Sequence, residues 1–368
     1  MLDYEFNQNE VKMMKRGNES LVSAGYDGVS SSLAMPETPK DGIVVKVAYL
    51  GACYSEGLRR RGAKPSFPGN EIGGYIHDIS NTVPNCNFTR GDKVILFPTE
   101  DIIDQGYVEY IAVEDTTHVI QVPEDMPLEV ATMLPGSALT AYSAVLKAKP
   151  HVEKLQQVKP CVNVLIVGAG GLGLWCLQLA QYLIKSFGQN NVRIFMADNS
   201  IDKLLVASEH GCYDIIHWNE EDHEQYIVER TLDACRGGVD VIIDLVSSPR
   251  TNQRSLKVLN RNGCILQEGL ILVGGDSMSN SNVSISLNSL SAKQQSLVGI
   301  PKGNLNQLYD LLHAVQENKI TPPSYAVFPV EDANQVYEDI QDCRITGRAI
   351  FRFVNSSSTM DNSPTTTY

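Results

Sequence analysis

The residues with the clearest chemical purpose are the glycines of Val164-Leu165-Ile166-Val167-Gly168-Ala169-Gly170-Gly171-Leu172-Gly173, which follow an apolar run at the spacing GxGxxG. In such a turn Gly168 permits the tight bend, Gly170 lets the backbone approach a pyrophosphate, and Gly173 lets a helix lie close on a strand. The amides of Gly171 and Leu172, at the start of that helix, would face the phosphates with the positive end of its dipole. A second residue fits the same ligand. Asp198 closes the run Arg193-Ile194-Phe195-Met196-Ala197, 25 residues beyond Gly173. A carboxylate there can accept hydrogen bonds from both adenosine ribose hydroxyls and would repel a 2′-phosphate, so NAD(H) is expected in preference to NADP(H). Lys203, one turn further on, could cover the ribose from its other side. Asp198 could also cap the helix beginning near Ser200, and the two roles are compatible.

The glycine turn needs a strand before it and a helix after it, and the surrounding pattern supplies both. From about residue 150, strand-like runs alternate with stretches of helical length. The runs are Val162–Val167, Val192–Ala197, Asp214–His217, Val239–Val246 and Gly263–Leu270. That alternation marks βαβ units and a parallel sheet. A helix is expected at Leu305–Asn318, a strand at Tyr325–Val330, a helix at Asp332–Cys343 and a last strand at Arg348–Val354. The first part reads differently. Residues 1–35 suggest an irregular arm with a strand, Ile43–Cys53 is rich in β-branched residues, and Gly106–Val113 alternates apolar and polar side chains. Glycine and proline punctuate the segment between them. The tail at 355–368 is too polar to order itself.

Composition excludes several classes. A formal net charge of −13 repels nucleic acid and anionic membrane surfaces, and Arg59-Arg60-Arg61 reads as a solvated loop. The eight cysteines form no CxxC pair, which suggests a reduced, cytoplasmic protein. The N-terminal stretch lacks the apolar core of a secretory signal. The longest apolar run, Val162–Ile184, is broken by four glycines and two glutamines, so no membrane span is expected.

Over residues 40–354 the sequence resembles the medium-chain dehydrogenase/reductase superfamily. Gly69-Asn70-Glu71-Ile72-Gly73-Gly74 looks like that family's GHExxG segment, followed by Arg90-Gly91-Asp92-Lys93-Val94. Gly106-Tyr107-Val108-Glu109-Tyr110 and Leu134-Pro135-Gly136-Ser137-Ala138-Leu139-Thr140-Ala141-Tyr142 look most like the zinc-free quinone-reductase branch. Gly238-Val239-Asp240-Val241-Ile242-Ile243-Asp244 and Gly347-Arg348-Ala349-Ile350 complete a set in family order.

The resemblance implies an α/β protein with a GroES-like β-rich catalytic domain, residues 1–148 and 303–354, and a Rossmann doubly wound parallel-sheet domain, residues 149–302. It implies a nicotinamide in the cleft between them, with Thr140 near it, Arg348 on the pyrophosphate, and Val298 and Ile300 bracketing backbone that holds the carboxamide. Val246, at the switch-point crevice, is a further cofactor contact. Zinc-dependent members hold their metal with a Cys, a His and a second Cys. Here those positions are Cys53, Asn70 and Gly136, and the four-cysteine structural lobe is missing too. A catalytic zinc needs three protein ligands, and Glu71 beside Cys53 would still leave only two, so no zinc is expected.

Without a metal, Ser55 matches a proton-relaying hydroxyl, although the next relay position is Leu58. Asn70 could donate its amide to a substrate carbonyl, and Cys53 completes the candidate catalytic set. Cys53 could equally be a small core residue, Asn70 a turn cap, and Tyr142 packing. The expected activity is hydride transfer between NAD(H) and a carbonyl-conjugated small molecule, a quinone or enone. The alternatives are a metal-free alcohol or carbonyl dehydrogenase using Ser55, and a catalytically weak NAD(H)-binding scaffold or regulator. The resemblance also implies a homodimer.

Overall fold

β-Branched and aromatic residues fill the first ordered segment, and they form a long strand. The computed structural model describes residues 35–53, 69–83, 87–103, 108–185, 191–260, 269–274, 285–353 and 365–367. Strand β1 (Ile43–Ala52) is followed by β2 (Ile72–Ile79), β3 (Lys93–Leu96), helix α1 (Glu100–Ile103), β4 (Tyr110–Val113), β5 (Val119–Gln121) and helix α2 (Leu128–Thr132). β1 is antiparallel to β2 and β4, with register shifts at Val44/Val45 and Val47/Tyr49. Two glycines of β2 allow close approaches. A Cβ on Gly74 would lie 2.3 Å from the Lys46 carbonyl oxygen, and one on Gly73 would lie 2.0 Å from Thr132 Oγ1.

The rhythm then changes, as expected. Helix α3 (Leu139–Gln156) leads to β6 (Val162–Val167), α4 (Gly171–Ala180), β7 (Val192–Asp198), α5 (Ile201–Glu209), β8 (Asp214–His217), α6 (Glu224–Ala234), β9 (Val241–Asp244) and α7 (Pro249–Val258). They are followed by β10 (Gly269–Val273), α8 (Leu287–Lys293), β11 (Gln295–Gly299) and α9 (Leu305–Gln316). The six strands lie parallel in the order β11-β10-β9-β6-β7-β8. Counting from β6 as first, that is the order 3-2-1-4-5-6 of the Rossmann fold. β6 is buried along its whole length, as a strand covered on both faces must be. On one face Leu165, Val167, Phe195, Ile216, Trp218 and Ile242 pack into a common core, each contributing about 1.5–3 kcal/mol. Trp218 also finds a partner for its indole N–H, Thr231 Oγ1 at 3.0 Å.

The chain closes with β12 (Tyr325–Pro329), α10 (Ala333–Gln341), β13 (Arg348–Arg352) and β14 (Thr365–Thr367). β13 returns to pair antiparallel with β1, making the order β14-β12-β13-β1-β2-β3-β5, with β4 also on β1. The polar tail therefore departs from expectation at Thr365–Thr367, because backbone pairing at a sheet edge requires no apolar side chain.

The chain divides into two compact units, Met1–Pro135 with Ala326–Arg344 and Ala349–Thr366, and Gly136–Tyr325 with Ile345–Arg348 and Thr367–Tyr368. Sequence had put the changes at 148/149 and 302/303. The whole of α3, together with α9, belongs instead to the parallel-sheet unit, because α3 packs on β6, β9, β10, α4 and α9. Strand ends moved by a few residues. The expected strand at Gly263–Leu270 overlaps β10 (Gly269–Val273) at Gly269 and Leu270, and residues 263–268 lie outside the described residues. β11 had no separate sequence signal. No described helix is long and apolar enough to cross a membrane.

Candidate functional site

In the parallel-sheet unit the glycine turn sits between β6 and α4. Gly168 has φ +102°, which L side chains rarely adopt, and its N–H donates to the Ala197 carbonyl at 2.8 Å. Gly170 is the N-cap of α4 and offers no side chain to the first-turn amides. A Cβ on Gly170 would meet nothing within 4 Å, so that face of the backbone is open. A Cβ on Gly173 would lie 1.7 Å from the Gly168 carbonyl oxygen, so only glycine lets α4 begin against its own turn. At Gly171 a Cβ would meet Arg348 Cδ at 2.1 Å. The arginine stem is thus laid across the N-terminus of α4, and Arg348 is buried at 5% exposure. Leu172, in the first turn of α4, is half-buried.

Asp198 ends β7 beside this turn. Its Oδ2 accepts the Ala169 N–H at 2.6 Å and its Oδ1 accepts the Ser200 N–H at 2.9 Å. The carboxylate therefore stitches the glycine turn to the neighbouring strand, a role that spacing alone did not reveal. It does not cap α5 directly, because Ser200 is the N-cap and its Oγ accepts the Lys203 N–H at 3.4 Å. Each carboxylate oxygen retains acceptor capacity for a ribose hydroxyl.

Val246 lies just past β9 and is 41% exposed, unusual for a valine beside a packed sheet. Its Cγ2 would be 3.0 Å from a Cβ on Gly168, so it walls the crevice between β6 and β9. Val298 is half-buried on β11, and Ile300 follows it, donating its N–H to the Val273 carbonyl at 2.8 Å. Thr140 is half-buried in the first turn of α3. Two residues that sequence did not assign join this edge. Asp244, the last residue of β9, and Ser247, with φ +50°, shape the turn that carries Val246. The only forewarning was an acid closing the apolar run Val241–Asp244.

The antiparallel unit holds the other candidates. Cys53 is 3% exposed and Asn70 is half-buried. Glu71 is fully buried, and a Cβ on Gly51 would lie 1.8 Å from its Oε2, so the carboxylate is pressed onto the β1 backbone. Ser55 and Leu58 lie outside the described residues. Tyr142, in α3 of the parallel-sheet unit, is nearly buried, and burial raises its hydroxyl above the usual tyrosine range, with Asp310 and Tyr182 adding to the shift. That makes it a weak acid and fits packing.

The donor set at the positions matched to zinc ligands is a thiol, an amide and a glycine, which does not fit a catalytic zinc. Among the described residues no three His, Cys, Asp or Glu side chains come together as a metal site. The open Gly170 face, the uncapped α4 N-terminus and Asp198 do fit a dinucleotide.

The strand order and this carboxyl edge define the class: a protein pairing a GroES-like β-rich domain with a Rossmann domain. The family described as zinc-binding dehydrogenase matches residues 171–317. The NAD-dependent alcohol dehydrogenase of Sulfolobus acidocaldarius is 26% identical over 355 residues, covering 86% of this chain and 94% of that protein. The acryloyl-coenzyme A reductase of Sulfurisphaera tokodaii is 24% identical over 345 residues, again covering 86% and 94%. Among solved structures, the alcohol dehydrogenase of Aeropyrum pernix matches with a TM-score of 0.71 at 22% identity, covering 94% of this chain and 99% of that one. The match and these likenesses support a medium-chain dehydrogenase/reductase superfamily member, an oxidoreductase.

Proposed function

We propose that this protein is a zinc-independent oxidoreductase that transfers hydride from NADH to a carbonyl-conjugated small molecule, a quinone or an enone. The observation that carries the reading is the thiol, amide and glycine standing where three zinc ligands would be needed. A saturated aldehyde or ketone concentrates negative charge on one oxygen as hydride arrives, and a metal would ordinarily meet it. A conjugated acceptor spreads that charge over carbon and oxygen. A neutral donor such as Asn70 is then sufficient, and Cys53 and Ser55 are the remaining candidates near the acceptor. The likeness to an acryloyl-coenzyme A reductase supports a conjugated substrate.

The dinucleotide supplies the hydride when bound. The chain's own part is to hold it: the α4 amides of Gly171, Leu172 and Gly173 and the Arg348 guanidinium on the pyrophosphate, and Asp198 with Lys203 on the ribose. Val246, Val298, Ile300 and Thr140 fix its remaining length. Preference for NADH over NADPH follows from the negative charge of Asp198 against a 2′-phosphate.

Steady-state NADH oxidation against matched quinones, enones and saturated aldehydes tests the assignment. Conjugated acceptors should turn over at least about tenfold faster, a barrier difference of about 1.4 kcal/mol. The protein as purified should contain well under one zinc per chain, and stoichiometric zinc lost together with activity would overturn the metal-free assignment. The likeness to an NAD-dependent alcohol dehydrogenase favours a second reading, metal-free alcohol oxidation through Ser55. Faster turnover of saturated substrates would select it.

A further inference from the structure

Beneath the turn after β9 lies an acid that the hydride chemistry does not use. Asp244 is fully buried, and its Oδ1 accepts the N–H groups of Val246 at 3.1 Å and Ser247 at 2.8 Å. Its Oδ2 is buried with no hydrogen-bond partner among the described residues. The neighbouring Thr251 hydroxyl, which can donate to the Ser248 carbonyl at 3.1 Å, favours the ionised carboxyl. In register on either side are Val167 of β6 and Val273 of β10. The arginines of α7 are engaged elsewhere, Arg250 with Glu220 and Glu224, Arg254 with Glu224. No charged side chain on β6, β10, α3 or α7 contributes to its ionisation; burial pushes the Asp244 carboxyl up to about 6, against the Ser247 amide, the Thr251 hydroxyl and the Val246 amide, which favour the carboxylate.

The geometry says where a proton would sit. As the carbonyl of a neutral acid, Oδ1 keeps both amides, and the unpartnered Oδ2 takes the proton. The turn therefore survives either state, which suits a group that titrates within it. That turn carries Val246 against Gly168, and the Ser247 Oγ ties it to β10, donating to the Asp244 carbonyl at 2.9 Å while the Gly274 N–H donates to it at 3.0 Å. A dinucleotide at the glycine turn would set two phosphate charges beside a carboxyl held in a poorly screened interior. Like charge there favours the neutral acid.

Resting on the dinucleotide reading above, we propose that Asp244 is a proton-linked positioning residue: it holds the Val246 turn and takes up a proton when an anionic dinucleotide binds. By linkage, acidification must then tighten binding. His217, whose Nε2 lies 2.9 Å from the Asn199 carbonyl, stands near the ribose acid at the same edge, so a variant is needed to isolate Asp244.

The test is calorimetric titration of NADH into the full-length protein, in buffers of different ionisation enthalpy. At pH 7 the unmodified protein should take up a fraction of a proton per NADH, and affinity should rise several-fold from pH 8 to pH 6.5. Asp244→Asn, which keeps an acceptor at Oδ1 and mimics the neutral acid, should lose most of both effects and bind more tightly than the unmodified protein at pH 8. A purely structural aspartate would leave proton uptake and slope the same in the variant, and that result overturns the proposal. NADH binding without proton uptake in the unmodified protein also overturns it, and needs no variant. Failure of NADH to bind at any pH removes the dinucleotide reading and this proposal with it.

Discussion

Two aspartates bracket β9, and they live in opposite surroundings. Asp240, just before the strand, is 3% exposed and surrounded by donors. Its Oδ1 meets the Lys159 ammonium and the Asn260 amide at 3.1 Å, while its Oδ2 accepts the Asn163 N–H at 2.9 Å. Asn163 in turn donates to the Cys235 and Gly238 carbonyls at 2.7 and 3.0 Å. Four residues later the Asp244 carboxyl accepts two backbone amides on one oxygen, and its other oxygen has no hydrogen-bond partner among the described residues. Around Asp240 the amino edge of the sheet is thus internally satisfied. The carboxyl edge carries an uncapped helix N-terminus, an exposed valine and a half-satisfied acid. One edge holds the strands together, and the other is where the proposed dinucleotide would bind.

The largest effect expected from that contrast is at the amino edge. Asp240→Ala leaves the Lys159 ammonium, whose side chain is 14% exposed, and the Asn163 N–H without their partner. Removing one member of a buried ion pair costs about 3–5 kcal/mol, so denaturant unfolding should show a loss of that size. The protein that remains folded should bind NADH almost as before. A comparable loss of NADH affinity in the folded fraction would mean that the two edges are not separable.

At the open edge Gly173→Ala should do the reverse. The new methyl would lie 1.7 Å from the Gly168 carbonyl oxygen, and backbone on both sides must move. Stability should fall by about 1–3 kcal/mol. NADH affinity should fall at least about 100-fold, equivalent to about 2.7 kcal/mol, measured by fluorescence titration. Unchanged affinity would place the dinucleotide elsewhere.

The smallest effect sharpens the role of Asp198. Asp198→Ala removes charge-assisted hydrogen bonds worth about 1.5–3 kcal/mol, so NADH affinity should fall roughly tenfold or more. Part of that loss comes from freeing the Ala169 and Ser200 amides and should fall on NADPH equally. The ratio of the two affinities isolates the ribose contact. It should narrow in the variant, and equal affinities in the unmodified protein would discard the assignment.

Local pattern was enough to read the strand and helix ends that carry the proposed cofactor residues. A run such as Val162–Val167 followed by GxGxxG states in one stretch that a buried strand meets a helix, and Asp198 closes the next strand at a predictable distance. The long β1 was legible for a similar reason. The boundary near α3 was not. Which sheet a helix packs on depends on contacts with β9, β10 and α9, far away in sequence.

Sequence by itself determined the strand, turn and helix of the glycine motif, the change from antiparallel to parallel architecture, and the absence of zinc-type side chains at Asn70 and Gly136. These are properties of residue type and spacing, and no neighbour can alter them. Only the tertiary structure decided that Asp198 clasps the glycine turn, that the Arg348 stem crosses α4 at Gly171, and that Asp240 and Asp244 differ. Both of the latter are acids at the ends of one apolar strand. Their difference lies in the Lys159, Asn163 and Asn260 groups that folding brings to one end and withholds from the other. A hydrogen-bond partner from a distant segment leaves no local trace, so the chemistry of a buried acid is set by the assembled fold.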